Sequence, residues 1–265
     1  MSPNRKHSLF TTYVLRIAAV CLVLAATTIA YAWSHGAYSK ANSSTPILTA
    51  LIVLFATAQS GDWLLLNGKK LSIQTNPLEP FLQQNPEARP RSGFVSTGNW
   101  RGYTATWQVK DQRLMLIDIE TVDSITETDY GKTFKGELRS VMSTVFPGRK
   151  DVFADWFTGY VVIPDGELVE YVHMGYASTY EKYLILRLEK GIVTRRWNVD
   201  NAGFLRFRDA QFENFKRTEE YRRALSELFE RTPSENRRTW SAEETEEFLR
   251  TFYSGQYTAR IFDAQ

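Results

Sequence analysis

From Gly61 onward the chain alternates short apolar runs with turn residues, a pattern typical of β-hairpins. Residues 103–110 alternate apolar and polar side chains, as a strand with one buried face does. Asn67-Gly68 predicts a tight turn because both residues tolerate positive φ. We predict hairpins that join 63–66 to 69–73, 103–110 to 114–119, 160–163 to 168–172 across Pro164-Asp165-Gly166, and 183–188 to 192–197. Strands joined locally in this way indicate an antiparallel meander, either a curled sheet or a barrel.

Helical periodicity occurs in three places and makes the expected fold class α+β. Leu138, Val141, Met142 and Val145 share one face of a helix that Phe146-Pro147-Gly148 would end. From about Asp209 the apolar period becomes 3.6, which predicts C-terminal helices over 209–253 that pack on the sheet. Ser241 and Glu244 have the spacing of a capping box. The proline-rich stretch 77–90 predicts a loop with at most one helical turn near Phe81–Gln84.

The N-terminal region contains two apolar runs that point to a membrane. Residues 17–33 carry no charge and follow Arg5, Lys6 and Arg16, which matches the basic and apolar parts of a signal or anchor segment. A helix of about 17 residues is at the lower limit for spanning a bilayer. The basic flank predicts a cytoplasmic N-terminus and places the rest of the chain across the membrane. Residues 1–60 are therefore interpreted as a signal or anchor region, and 61–265 as one extracytoplasmic α+β domain with hairpins at 61–200 and helices at 209–253.

The second apolar run, 47–58, leaves three arrangements open. It is too short to span alone, and extending it to Leu66 would bury Asp62 in hydrocarbon. The chain is expected to have an anchor plus an interfacial segment, two short spans, or a leader cleaved after Ala32 or after Ala58. A second span over 47–66 would return the body to the cytoplasm.

Composition excludes several classes of function. The chain has 32 basic and 30 acidic residues, so no basic excess points to nucleic acid. Cys21 is the only cysteine, which excludes an intramolecular disulfide and a thiolate metal cluster. An aromatic content of 14% indicates a substantial packed core.

His173 is the only histidine in the predicted body, because His7 and His35 lie in the N-terminal region. No metal site is expected, since a histidine-based zinc site needs more ligands of this kind. No cofactor is expected either, because the sequence has no glycine-rich phosphate loop. A hydrolase or transferase of the cell envelope would have to use His173 with a carboxylate such as Asp118 or Glu181.

The poverty of catalytic groups favours a non-catalytic, exported or membrane-anchored protein. Its membrane contact would be the N-terminal segment, and its ligand a partner protein or an apolar molecule. An apolar ligand would need a closed meander with room among its aromatic side chains. The alternative is the enzyme centred on His173.

Overall fold

The computed structural model describes residues 57–92, 95–127, 134–230 and 241–262. Its strands form one nine-stranded sheet in the order β2-β1-β3-β4-β9-β8-β7, while β5 and β6 pair separately with β4. The strands are β1 (Asp62–Leu66), β2 (Lys69–Ile73), β3 (Thr104–Lys110), β4 (Arg113–Glu127), β5 (Phe134–Ser140), β6 (Val152–Phe153), β7 (Gly159–Glu170), β8 (Thr179–Glu189) and β9 (Ile192–Asp200).

Two short helices interrupt the strands and four follow them. They are α1 (Glu79–Gln84), α2 (Met142–Val145), α3 (Asn201–Phe215), α4 (Glu219–Glu230), α5 (Ala242–Phe252) and α6 (Ser254–Tyr257), with a 3₁₀ turn at Pro86–Ala88. The α+β class with a large, mostly antiparallel sheet and C-terminal helices is therefore confirmed. None of the helices in the described part of the chain is long and apolar enough to cross a membrane.

The sheet is curled but not closed, so the barrel alternative is wrong. β1 runs parallel to β3, and β4 pairs with β9 only through Arg113 and Ile192. The two ends of the strand order approach each other without forming a ladder. There the Gln74 amide donates to the carbonyl of Val162 at 2.9 Å, and the Val162 amide donates to Thr75 Oγ1 at 3.1 Å.

Three predicted hairpins are confirmed: β1/β2, β3/β4 and β8/β9. The β1/β2 turn has Asn67 at φ 51° and Gly68 at φ 76°, the left-handed pair that a two-residue hairpin turn requires.

The predicted hairpin between 160–163 and 168–172 is wrong. β7 runs through Pro164 without reversing and pairs along its length with β8. Proline lacks an amide donor, but β7 is the last strand in the sheet order. A missing donor on its unpaired edge therefore removes no hydrogen bond between strands. Gly166, at φ 82°, lies in a stretch where the register shifts, so the apparent turn signal marks a bulge.

Two helix predictions also need correction. Leu138 belongs to β5 opposite Val122 of β4, and only Met142–Val145 are helical, because pairing with β4 overrides the short helical period. The first C-terminal helix begins at Asn201 rather than near Asp209. The Asp200 carboxylate caps it by accepting the Gly203 amide at 2.7 Å. The capping box of Ser241 and Glu244 is present as predicted.

The interior of the curled sheet is filled by the protein's own side chains. Trp107 and Tyr103 are fully buried among aliphatic residues of β1, β4 and β8. On the side of α3, Tyr183 stacks on Phe204 with ring centroids 3.7 Å apart. The C-terminal helices form a further aromatic cluster of Phe212, Phe215 and Tyr257. The aromatic content predicted this packed core.

The apolar run 17–33 and most of 47–58 lie outside the described residues. Residues 62–66 form β1, so a helical span through Leu66 is ruled out.

Candidate functional site

A buried polar centre lies where β1 begins. The carboxylate of Asp62 is fully buried and accepts three hydrogen bonds. They come from Arg101 Nη1 at 2.9 Å, the Ala105 amide at 3.1 Å and Trp107 Nε1 at 3.1 Å. Three convergent donors compensate much of the cost of removing this carboxylate from water.

Arg101 extends the buried polar centre towards the neighbouring loops. Its Nη2 donates to the carbonyl of Ser60 at 2.8 Å, and its Nη1 also bonds Asn76 Oδ1. The Tyr176 hydroxyl donates to the same Asn76 oxygen at 2.9 Å. The guanidinium also lies over the ring of Tyr103, 5.2 Å from its centroid. The loops before β3, after β2 and after β7 are thus joined to the start of β1.

Burial and charge act against each other in the pKa values of this centre. Burial by itself would lower the pKa of Arg101, but the facing Asp62 carboxylate holds it above its ordinary value. Burial raises the pKa of Asp62, and the charge of Arg101 opposes that rise. Burial raises the pKa of Tyr176 to about 12, so its hydroxyl stays protonated at neutral pH.

A second ion pair lies beside this centre. Glu79 accepts both Arg89 Nη1 and Nη2, at 3.1 and 2.9 Å, and the Tyr103 hydroxyl at 2.8 Å. Burial would raise the pKa of Glu79, but these hydrogen bonds and the charge of Arg89 bring it below its ordinary value. Each charged group of these two pairs bonds a counter-charge and, except for Arg89, also a neutral group from another part of the chain, so the centre is suited to holding loops together.

The polypeptide joins the body next to this centre through residues 57–60, which we call the N-terminal joint. The Gln59 amide donates to the carbonyl of Gly175 at 2.9 Å, and the Gly175 amide donates to the carbonyl of Thr57 at 3.1 Å. The Gln59 side chain donates to the carbonyls of Thr57 and Thr97, at 2.9 and 2.8 Å, and accepts the Trp100 amide at 3.2 Å. The joint is therefore held on two sides.

The end of β7 and the residue that follows it carry three exposed apolar side chains. Leu168, Val169 and Tyr171 are 49%, 56% and 60% exposed. Leu168 and Val169 are adjacent in the chain and both exposed, so the rest of the described chain covers neither side chain. Exposed or half-exposed acidic residues surround them. We call this the β7 surface; it consists of Leu168, Val169, Tyr171, Asp165, Glu167 and Glu170.

The three sequence-predicted site residues lie in different places. His173 is exposed just beyond β7, and its Nδ1 is hydrogen-bonded to the Tyr171 hydroxyl at 2.6 Å. Asp118 lies on β4 and accepts the Ser140 hydroxyl at 2.5 Å. Glu181 lies on β8, exposed, and accepts the Glu167 amide at 3.2 Å. Among the described residues no hydrogen bond joins any two of these three.

Sequence reasoning missed the buried polar centre. The one sequence feature that pointed to it was an acidic residue, Asp62, beside the apolar run 63–66. On the sequence alone, Asp62 served only as evidence against a membrane span. Arg101 lies 39 residues away and shows no pattern that would pair it with Asp62. In the part of the chain that the structure describes, no group of three histidine, cysteine or acidic residues is arranged to hold a metal ion.

Comparisons with protein-family models, curated proteins and solved structures found no match to this chain.

Proposed function

We propose that this chain is an exported or membrane-anchored protein without catalytic activity, and that its β7 surface binds a partner protein. The observation that carries the proposal is the exposure of Leu168, Val169 and Tyr171 within four consecutive residues at and just after the end of β7. Water contact with such a group is unfavourable, and covering it removes apolar area at about 25 cal/mol per Å².

A partner protein is favoured over an apolar ligand because the concave side of the sheet is already filled. Trp107, Tyr103 and Phe157 occupy it with at most 3% exposure. An apolar molecule would have to displace packed side chains, which costs several kcal/mol per large residue, about 3–5 for Phe or Trp. A partner that covers the β7 surface displaces only water.

The charges around the β7 surface indicate which partner would fit. Asp165, Glu167 and Glu170 surround the apolar residues, and Glu181 of β8 adjoins them. A partner with an apolar centre and a basic rim is complementary to this arrangement. Addition of a strand is disfavoured, because the register of β7 shifts between Asp165 and Leu168 and again before Glu170. The partner is therefore expected to dock through side chains.

Site-specific photo-cross-linking in the producing cell tests the proposal. A photoreactive amino acid replaces Leu168 in one strain and Ile192 in another, and these residues are 49% and 44% exposed. We expect one discrete cross-linked species from position 168 and none from 192, with the species from 168 lost when Val169→Asp is added. Equal labelling at both positions, or no dependence on Val169, would argue against a partner at this surface.

The alternative proposal is the hydrolase or transferase centred on His173, with Asp118 or Glu181 as the carboxylate. The hydrogen bond between the Tyr171 hydroxyl and His173 Nδ1, together with the contact of the two rings, would orient the imidazole at the surface. Turnover of simple ester and phosphoester substrates by the full chain, lost on His173→Ala and also on either Asp118→Asn or Glu181→Gln, would favour a reaction at His173. No turnover by the wild-type chain favours the binding protein.

A further inference from the structure

We propose that the face around the N-terminal joint, formed by Ala58, Val95 and Thr97, rests on a lipid surface and that the joint fixes the body in one orientation there. This inference rests on the membrane-anchoring part of the proposed function and is independent of the partner at the β7 surface. It concerns how the body is held rather than what it binds.

The second apolar run continues directly into the body. The run covers residues 47–58, and its last residue, Ala58, already forms a β-bridge with Gly175. The next residue, Gln59, is fixed through both its backbone and its side chain. A membrane segment attached here would transmit its position to the body, because flanking hydrogen bonds leave the joint little freedom.

The joint is connected to the interior as well as to the surface loops. Arg101 Nη2 and the Tyr176 hydroxyl both bond the carbonyl of Ser60, at 2.8 and 3.2 Å. Arg101 is in turn paired with the buried Asp62 at 2.9 Å. The joint is therefore held by the buried polar centre, and a swing of the body about residues 57–60 would have to break the bonds that Arg101 and Tyr176 make to the Ser60 carbonyl.

The face around the joint is exposed and free of acidic residues in its two flanking loops. Thr97 bonds Gln59 directly, and Val95, two residues before it, is 46% exposed. Two residues of extended chain span at most about 7 Å, so Val95 lies within about 7 Å of Thr97, on the loop that bonds the joint. The two loops that flank the joint, 95–101 and 171–178, contain no acidic residue. Such a face avoids repulsion from anionic lipid, unlike the β7 surface with its acidic side chains.

A quenching experiment on the full-length chain tests this orientation. In a Cys21→Ser background, Val95→Cys and Ile192→Cys are each labelled with one fluorophore; these sites are 46% and 44% exposed. Ile192 is a matched control at a distance. Ile192 pairs with Arg113, and Arg113 pairs with Lys110, the last residue of β3. Thr104 is the first residue of β3, so six residue steps of about 3.3 Å place the two ends of this strand roughly 20 Å apart. The chain is reconstituted in vesicles of phosphatidylcholine and phosphatidylglycerol that contain a headgroup-spin-labelled lipid.

We expect severalfold stronger quenching at position 95 than at position 192. Replacing Gln59 with Ala removes its side-chain bonds, and the contrast between the two positions should then decrease while circular dichroism stays unchanged. Equal quenching at both positions in vesicle-bound protein would overturn the orientation but leave anchoring intact. A chain that does not float with the vesicles would overturn anchoring and this inference together, and neither result depends on Leu168 or Val169.

Discussion

Replacement of Arg101 by Met should destabilise the body strongly, because it leaves the Asp62 carboxylate buried without a counter-charge. The two side chains are 1% and 0% exposed, so water cannot take over the role of the guanidinium. Removing one partner of a buried ion pair typically costs about 3–5 kcal/mol. In a domain of roughly 200 residues each kcal/mol lowers Tm by about 2–4 °C, so we expect a decrease of about 6–20 °C.

The double variant Arg101→Met/Asp62→Asn separates the lost charge from the lost packing. The introduced amide side chain would be neutral, and its oxygen could still accept one of the two remaining hydrogen bonds, from the Ala105 amide or Trp107 Nε1. We expect the double variant to be at least about 1 kcal/mol more stable than Arg101→Met alone, since the uncompensated charge is gone. Urea unfolding monitored by tryptophan fluorescence measures both values.

Arg139→Met is the matched control, because Arg139 pairs with Asp123 at 2.8 Å but both side chains are exposed. An exposed pair contributes about 0–1 kcal/mol, so this variant should unfold close to the wild type. A loss of unfolding free energy in Arg101→Met no larger than that in Arg139→Met would refute a buried ion pair of this strength, and so would a double variant less stable than Arg101→Met.

Two further changes test the neighbouring ion pair and a close backbone contact. The hydrogen bonds from Arg89 and Tyr103 lower the pKa of Glu79 below its ordinary value of 4.5. The stability that the ionised carboxylate provides is therefore fully present above pH 4.5, and it is lost as the pH falls towards the pKa of Glu79 in the folded protein. The difference in unfolding free energy between wild type and Glu79→Gln should therefore shrink in urea titrations below about pH 4.5, and a constant difference would contradict this. Gly191→Ala places a Cβ at φ 75° only 2.5 Å from the carbonyl oxygen of Ala154, whereas Gly148→Ala at φ 73° meets no atom within 4 Å. Thermal melts should show Gly148→Ala costing about 1–2 kcal/mol for the backbone and Gly191→Ala costing about 1–3 kcal/mol more for the overlap; equal melting temperatures would contradict the contact.

Local chemistry predicted the elements whose partners are close in sequence. Asn67-Gly68 determined the β1/β2 turn because few residue pairs adopt left-handed φ at both positions. Ser241 and Glu244 determined the start of α5 through their own hydrogen bonds, at 3.1 and 2.9 Å. The high aromatic content likewise predicted a filled interior.

Only the tertiary structure decided features that depend on distant partners. Pro164 and Gly166 have the composition of a turn, yet pairing with β8 keeps β7 continuous and converts the signal into a bulge. Leu138 fits a helical period, but it pairs with Val122 of β4 and so belongs to β5. The pairing of Asp62 with Arg101 across 39 residues depends on the parallel contact of β1 with β3, which no local pattern encodes. Turns and caps are short-range hydrogen bonds that the sequence specifies by itself, whereas a buried charge finds its partner only when the chain has folded around it.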